Sequence, residues 1–74
     1  MIKYGNRSGK SGVRGYEIAT DYIRVLFTGK AAPYKYSYQS AGKAHVEQMK
    51  RLAKSGKGLA TYISQHVKER YERN

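Results

Sequence analysis

The chain has 74 residues, enough for one domain with a thin core, because a protein this short hides only about 60% of the surface it exposes when unfolded. It has no cysteine, which excludes disulfides and thiolate metal sites, and no apolar run near the ~20 residues of a membrane span or signal-peptide core, so we expect a cytoplasmic protein. Its 15 lysines and arginines against five acidic residues give a charge of +10, above the magnitude of about 2 to 8 that solubility needs, which favours a polyanionic partner.

Residues 1–15 form the first distinct segment. They contain four basic residues, four glycines, no acidic residue and little apolar material. This composition is typical of a mobile basic arm, which we predict for residues 1–15.

Within this arm, Gly5-Asn6-Arg7-Ser8-Gly9-Lys10-Ser11 resembles a phosphate-binding P-loop but is one residue short between its glycines. No strand is predicted before it and no helix after it, and without them the glycine amides cannot form an anion-binding nest. We therefore expect cations that touch phosphates here, not nucleotide hydrolysis.

Alternating short stretches begin at Tyr16 and cover residues 16–18, 22–27 and 34–38, separated by turns. They predict a three-stranded antiparallel meander. In the second strand Ile23, Val25 and Phe27 share one face, because side chains alternate along a strand, and we take this face as the core face.

Two amphipathic helices are predicted to follow the strands. The first begins after a candidate N-cap at Ser40 and ends at a left-handed Gly56, and its apolar residues recur at helical spacing. These residues are Val46, Met49, Leu52 and Ala53. The second is predicted to run from Leu59 nearly to Asn74. Residues 16–74 are therefore expected to form an α+β domain ordered β-β-β-α-α, with both helices on one sheet face and the other face uncovered.

Short motifs carry a family resemblance. They are the strand Ile23-Arg24-Val25-Leu26-Phe27, the pair Tyr34-Lys35-Tyr36, the helix turn Ala53-Lys54-Ser55-Gly56-Lys57-Gly58, then Ile63 and Tyr71. From residue 18 onwards their order resembles the KTSC domain, a module found at the C-terminus of some lysyl-tRNA synthetases and as single-domain proteins of bacteria and phages. The chain departs from the family pattern in an early Gly29, in the added Ala31-Ala32-Pro33 and in a further Tyr38. The association with tRNA synthetases implies RNA binding.

Candidates for catalysis or metal binding have ordinary explanations. His45-Val46-Glu47 has the His-x-Glu spacing of zinc deaminases, but the paired cysteines that complete such a site do not exist here. His66 lies near an apolar stripe, where packing is the usual role. Glu47 is expected to pair with Arg51 at i,i+4. We expect a non-enzymatic protein with no catalytic residue, no metal and no cofactor.

The tyrosines Tyr34, Tyr36 and Tyr38 occupy alternate positions of one predicted strand and would point to one side. If that side faces the helices, the rings are core, which a domain with one Phe needs. If it faces water, three rings in a row form a stacking platform for unpaired bases.

On the first predicted helix, Lys43, Lys50 and Lys54 lie at i, i+7 and i+11, on one stripe beside the apolar face. Such a stripe is either a solvated flank or a phosphate footprint, and we prefer the footprint. The full set of candidate nucleic-acid-binding residues is Arg14, Arg24, Lys30, Lys35, Tyr34, Tyr36, Tyr38, Lys43, Lys50, Lys54 and Lys57.

Two functions of different classes are compatible with these features. The first is a sequence-tolerant nucleic-acid binder, for RNA or single strands, that uses lysines, arginines and sheet tyrosines. The alternative is an interaction module of phage or mobile-element type that binds or inhibits an acidic host protein surface. A membrane partner is not expected, because the second helix carries Glu69 and Glu72 and no Trp or Phe.

Overall fold

The structure, a computed structural model, describes residues 1–5 and 12–72. Its strands are β1 (Ile2–Lys3), β2 (Val13–Ile18), β3 (Tyr22–Phe27) and β4 (Tyr34–Ser37). Its helices are α1 (Tyr38–Ala41), α2 (Lys43–Ser55) and α3 (Leu59–Tyr62), which continues into a π-helical turn over Ile63–Val67. The α+β class is confirmed.

The sheet has four antiparallel strands in the order β1-β2-β3-β4, one strand more than the sequence predicts. The additional strand, β1, pairs Ile2 with Tyr16 and Lys3 with Gly15. Gly15 permits this pairing, since a Cβ at that position would lie 2.9 Å from the carbonyl oxygen of Ile2. The close approach of β1 therefore depends on a residue without a side chain.

The prediction of an arm over residues 1–15 does not describe the parts of that segment seen in the structure. Tyr4 is only 2% exposed, its hydroxyl accepts a hydrogen bond from the Leu59 amide at 3.3 Å, and its ring meets the edge of Tyr16. Val13 is equally buried. Tyr4 and Val13 are enough to attach this segment to the domain, because both side chains face the core. Residues 6–11, with most of the P-loop-like motif, lie outside the described residues, and a strand, not a helix, follows them.

A capping box ends β4 and starts α1. The Ser37 hydroxyl accepts a hydrogen bond from the Ser40 amide, and the Ser40 hydroxyl accepts one from the Ser37 amide, both at 3.0 Å. Ser40 is therefore not the N-cap of the long helix, as the sequence predicts, and Tyr38 is the first residue of α1 and not part of the strand. Gly42, with φ 97°, separates α1 from α2.

The long helix α2 ends where the sequence predicts, at Gly56. This glycine has the left-handed φ of 75°, and its amide donates to the carbonyl oxygens of Leu52 and Ala53. Helical structure then resumes at Leu59 but stops at Val67, short of the predicted end near Asn74. Beyond this end, the Glu72 amide donates to the Lys35 carbonyl oxygen at 2.7 Å, which ties the segment after the helix to β4.

The core lies between one sheet face and the helices. Its largest fully buried side chains are Tyr36, Ile23, Met49, Leu59, Val25, Val46 and Val67. The predicted core face of β3 is confirmed for Ile23 and Val25, and Phe27 packs against the core while partly exposed. Within residues 1–5 and 12–72, no helix has the length and apolar character that crossing a membrane requires.

Candidate nucleic-acid interface

The sheet tyrosines belong to the core. Tyr36 is 1% exposed, and Tyr34 packs against the core with its ring 5.4 Å from Phe27 and 4.6 Å from Tyr71. Burial raises the pKa of Tyr36 to about 12, with smaller contributions from Tyr71 and Tyr34. The core interpretation is therefore confirmed for Tyr36, and a platform for bases on this strand is wrong.

On the opposite sheet face, two cations are paired with carboxylates of the same chain. Arg24 forms an ion pair with Glu17 at 2.6 Å, and Lys35 forms one with Glu72 at 3.7 Å. Both cations also lie over the ring of Tyr22, at 4.9 and 4.5 Å from its centroid. Arg24 and Lys35 are predicted phosphate ligands, but their charge is already offset by carboxylates within the fold.

Lys50 is not on an exposed stripe. The residue is 9% exposed, and its ammonium donates to the Thr20 carbonyl oxygen at 2.9 Å and to Glu47 Oε2 at 2.7 Å. Its place beside Val46 and Met49 turns the side chain towards the β2–β3 turn instead of solvent. The footprint prediction is wrong for this lysine.

Glu47 has partners other than the one that the sequence predicts. Its carboxylate accepts hydrogen bonds from Lys50 and from the Tyr38 hydroxyl, the latter at 2.6 Å, and these bonds lower the pKa of Glu47 below its usual range. The bond to Glu47 raises the pKa of Tyr38 in turn. Arg51, the expected partner of Glu47, instead donates from Nε to Gln48 Oε1 at 3.0 Å.

Four exposed cations remain on and just after α2: Lys43, Arg51, Lys54 and Lys57, which we call the α2 basic face. The first three lie within an arc of about 80° on the helix, and Lys43 and Lys54 are separated by about 16 Å along its axis. Lys57 follows in the turn after Gly56. Sequence reasoning missed Arg51 because it assigned the guanidinium to Glu47.

The remaining predicted cations, Lys30 and Arg14, are also exposed but belong to the sheet. Arg14 is the extra residue at an irregularity in β2, where Val13 pairs with Phe27 and Gly15 with Leu26. Lys30 lies in the turn after β3, with its amide donating to the Phe27 carbonyl oxygen. They add positive charge at one end of the sheet.

The balance of charge leaves the surface strongly positive. The carboxylates of Glu17, Glu47 and Glu72 are each paired with a half-buried or buried cation. Asp21 and Glu69 complete the set of five acidic residues. Every other described lysine and arginine is exposed. The α2 basic face therefore has no unpaired carboxylate on its own helix to offset it.

An aromatic cluster of His45, Tyr62 and His66 lies where α2 meets α3 and the π-helical turn. His45 Nδ1 and the Tyr62 hydroxyl are hydrogen-bonded at 2.7 Å, and the His66 ring centroid is 4.4 Å from that of Tyr62 and 5.7 Å from that of His45. The i,i+4 spacing of Tyr62 and His66 was the available sequence signal. In the described part of the chain, no group of three or more His, Cys, Asp or Glu side chains could hold a metal ion.

Comparison with known proteins gives no family. No family model matches the chain, and neither a curated protein nor a solved structure matches it. The resemblance to the KTSC domain, which depends on short motifs, stays a prediction.

Proposed function

We propose that the protein is a non-enzymatic domain that binds single-stranded nucleic acid, RNA or DNA, with little sequence preference through the α2 basic face. The observation that carries this proposal is the distribution of charge. The carboxylates of Glu17, Glu72 and Glu47 are paired with Arg24, Lys35 and Lys50, which leaves the cations of the α2 basic face in solvent.

The dimensions of the α2 basic face suit a phosphate backbone. The separation of Lys43 and Lys54, about 16 Å, corresponds to about five nucleotides at ~3.4 Å each along a stacked strand. Arg51 offers a planar guanidinium that can hold one phosphate with two hydrogen bonds, whereas lysines act as point charges. Contacts of this kind position a strand and carry no sequence information.

The first test is the dependence of affinity on salt. A labelled single-stranded oligonucleotide is titrated with the protein at several sodium chloride concentrations. If the α2 basic face neutralises about four phosphates, the logarithm of affinity should fall against the logarithm of salt with a slope of about −3. A flat response, or no binding at low salt, contradicts the proposal and makes an acidic protein surface the leading partner.

The second test assigns the binding to α2. The double variant Arg51→Gln with Lys54→Gln removes two exposed cations. The slope of the logarithm of affinity against the logarithm of salt should therefore become less negative by about 1.4. The matched control, Lys68→Gln with Arg70→Gln, removes the same charge from exposed positions after the π-helical turn. Equal losses in both double variants would show that net charge alone is responsible, and the assignment to α2 would fail.

A further inference from the structure

The aromatic cluster presents ring surface to solvent. His66 is exposed although its ring packs against both Tyr62 and His45, so the residue stays accessible to solvent at the edge of the cluster. Tyr62 and His45 are half-buried, and their hydrogen bond fixes both rings. The three rings therefore form a pre-ordered aromatic surface, whose ordering entropy is already lost before any ligand binds.

The cluster connects to the α2 basic face only through Gln48. His45, Gln48 and Arg51 follow one another at i,i+3 spacing and form a row that winds about 120° around α2, from the half-buried His45 to the exposed Arg51. The Arg51 guanidinium bends towards this row, since it donates to Gln48. From His45 to Arg51 the helix rises about 9 Å and the row crosses about a third of the helix circumference, so the strand between them is longer than two to three stacked nucleotides at ~3.4 Å each.

We propose that the aromatic cluster is a stacking site for an unpaired nucleobase, placed so that a phosphate of the same strand can reach the Arg51 guanidinium across Gln48. The inference rests on the proposed function and assigns the base contact that the core tyrosines cannot make. Ring faces stack on any base, so this site adds affinity for single strands without reading sequence.

The probe pair is an oligothymidylate of about 12 nucleotides and an abasic oligomer with the same number of phosphates. Both bind the α2 basic face, and only the first can stack. The oligothymidylate should bind roughly 5- to 150-fold more tightly, which is the range expected for one stacked base. His66→Ala should remove most of this preference, whereas His66→Phe should keep it because the ring is retained. Gln65→Ala, an exposed neighbour, should behave as wild type.

Proton NMR reports the contact directly, because both histidines of the chain belong to the cluster. Stacking of a base should shift the imidazole C–H signals when oligothymidylate is added and not when the abasic oligomer is added. Equal affinities for the two oligomers with unmoved histidine signals would overturn the stacking site while leaving the proposed function intact. Failure of both oligomers to bind at low salt would overturn both.

Discussion

Lys50 and Tyr38 hold the carboxylate of Glu47 from two sides, and the Lys50 ammonium also reaches the Thr20 carbonyl oxygen. This small network joins α2 to α1 and to the turn between β2 and β3. Lys54, one turn further along the same helix, is exposed. The helical spacing of Lys50 and Lys54 predicts the same environment for both. In the structure Lys50 is buried and has a structural role, whereas Lys54 is exposed and available to a ligand.

Replacing Lys50 by Ala should lower the free energy of unfolding by about 0.5 to 1.5 kcal/mol, because it removes the hydrogen bond from the buried ammonium to the Thr20 carbonyl oxygen. Lys54→Ala is the control and should change stability by less than about 0.5 kcal/mol. Urea unfolding followed by circular dichroism measures both. Equal stabilities of the two variants would show that the Lys50 contacts contribute nothing to folding.

Tyr36 should make the protein sensitive to alkali. Its pKa is raised from 10.0 to about 12, so above pH 10 the unfolded chain ionises this tyrosine while the folded chain does not. The contribution to stability is complete below pH 10 and is lost as the pH rises through about 12, up to about 3 kcal/mol at ~1.4 kcal/mol per pH unit. Tyr36→Phe keeps the ring and removes the ionisable group. The stability difference between wild type and this variant should be constant below pH 9 and should shift in favour of the variant by pH 11.5; a constant difference throughout contradicts the assignment.

Among the secondary-structure elements, β3 and the long helix α2 were predictable because each is long enough for its period to repeat. The alternation of Ile23 and Val25 and the left-handed Gly56 are local signals that the fold obeys. The strand β1 was not predictable, since two residues show no period and its pairing depends on the absence of a side chain at Gly15. The hydrogen bond from the Glu72 amide to the Lys35 carbonyl oxygen, which follows the early end of the last helix, joins residues far apart in the chain and has no local sequence signal.

The attachment of β1 to the helical layer depends on Tyr4. Tyr4→Ala should cost about 3 to 5 kcal/mol, comparable with the whole stability of a domain of this size. Tyr4→Phe keeps the ring and loses only the acceptor for the Leu59 amide, so it should fold with a loss of about 1 to 3 kcal/mol. Ile2→Ala, at a residue that is 56% exposed, is the control and should leave the melting temperature nearly unchanged. A fully stable Tyr4→Ala would restore the interpretation of residues 1–5 as a dispensable arm.

For the molecule as a whole, composition predicted the excess of positive charge but could not predict where it is cancelled. Arg24, Lys35 and Lys50 are neutralised by carboxylates that come from other strands, another helical position or the segment after the last helix. The sequence therefore predicts that the candidate site is cationic, but it identifies only some of the residues that form it. Lys43, Lys54 and Lys57 keep the expected exposure, and Arg51 and the aromatic cluster emerge from tertiary structure.

Added sodium chloride should raise the melting temperature of the free protein. Exposed cations repel one another at low salt, and the two surface ion pairs that salt also weakens, Arg24–Glu17 and Lys35–Glu72, contribute about 0 to 1 kcal/mol each. Repulsion should therefore dominate. The Arg51→Gln, Lys54→Gln double variant should gain less from salt than wild type. A melting temperature that falls between about 0.05 and 0.5 M salt would show that the ion pairs outweigh the repulsion.

The shielding of Lys50 also divides the amines of the protein into two reactivity classes. An amine-reactive ester must reach the amine from solvent, which it can do at the exposed Lys43, Lys54 and Lys57 but not at Lys50, which is buried with two acceptors around its ammonium. Mass spectrometry after brief labelling would therefore measure the acylation of these three lysines, which should fall when a bound ligand covers them. Lys50 would serve in the same spectrum as an internal gauge of folding, since its acylation requires the β2–β3 turn to separate from α2.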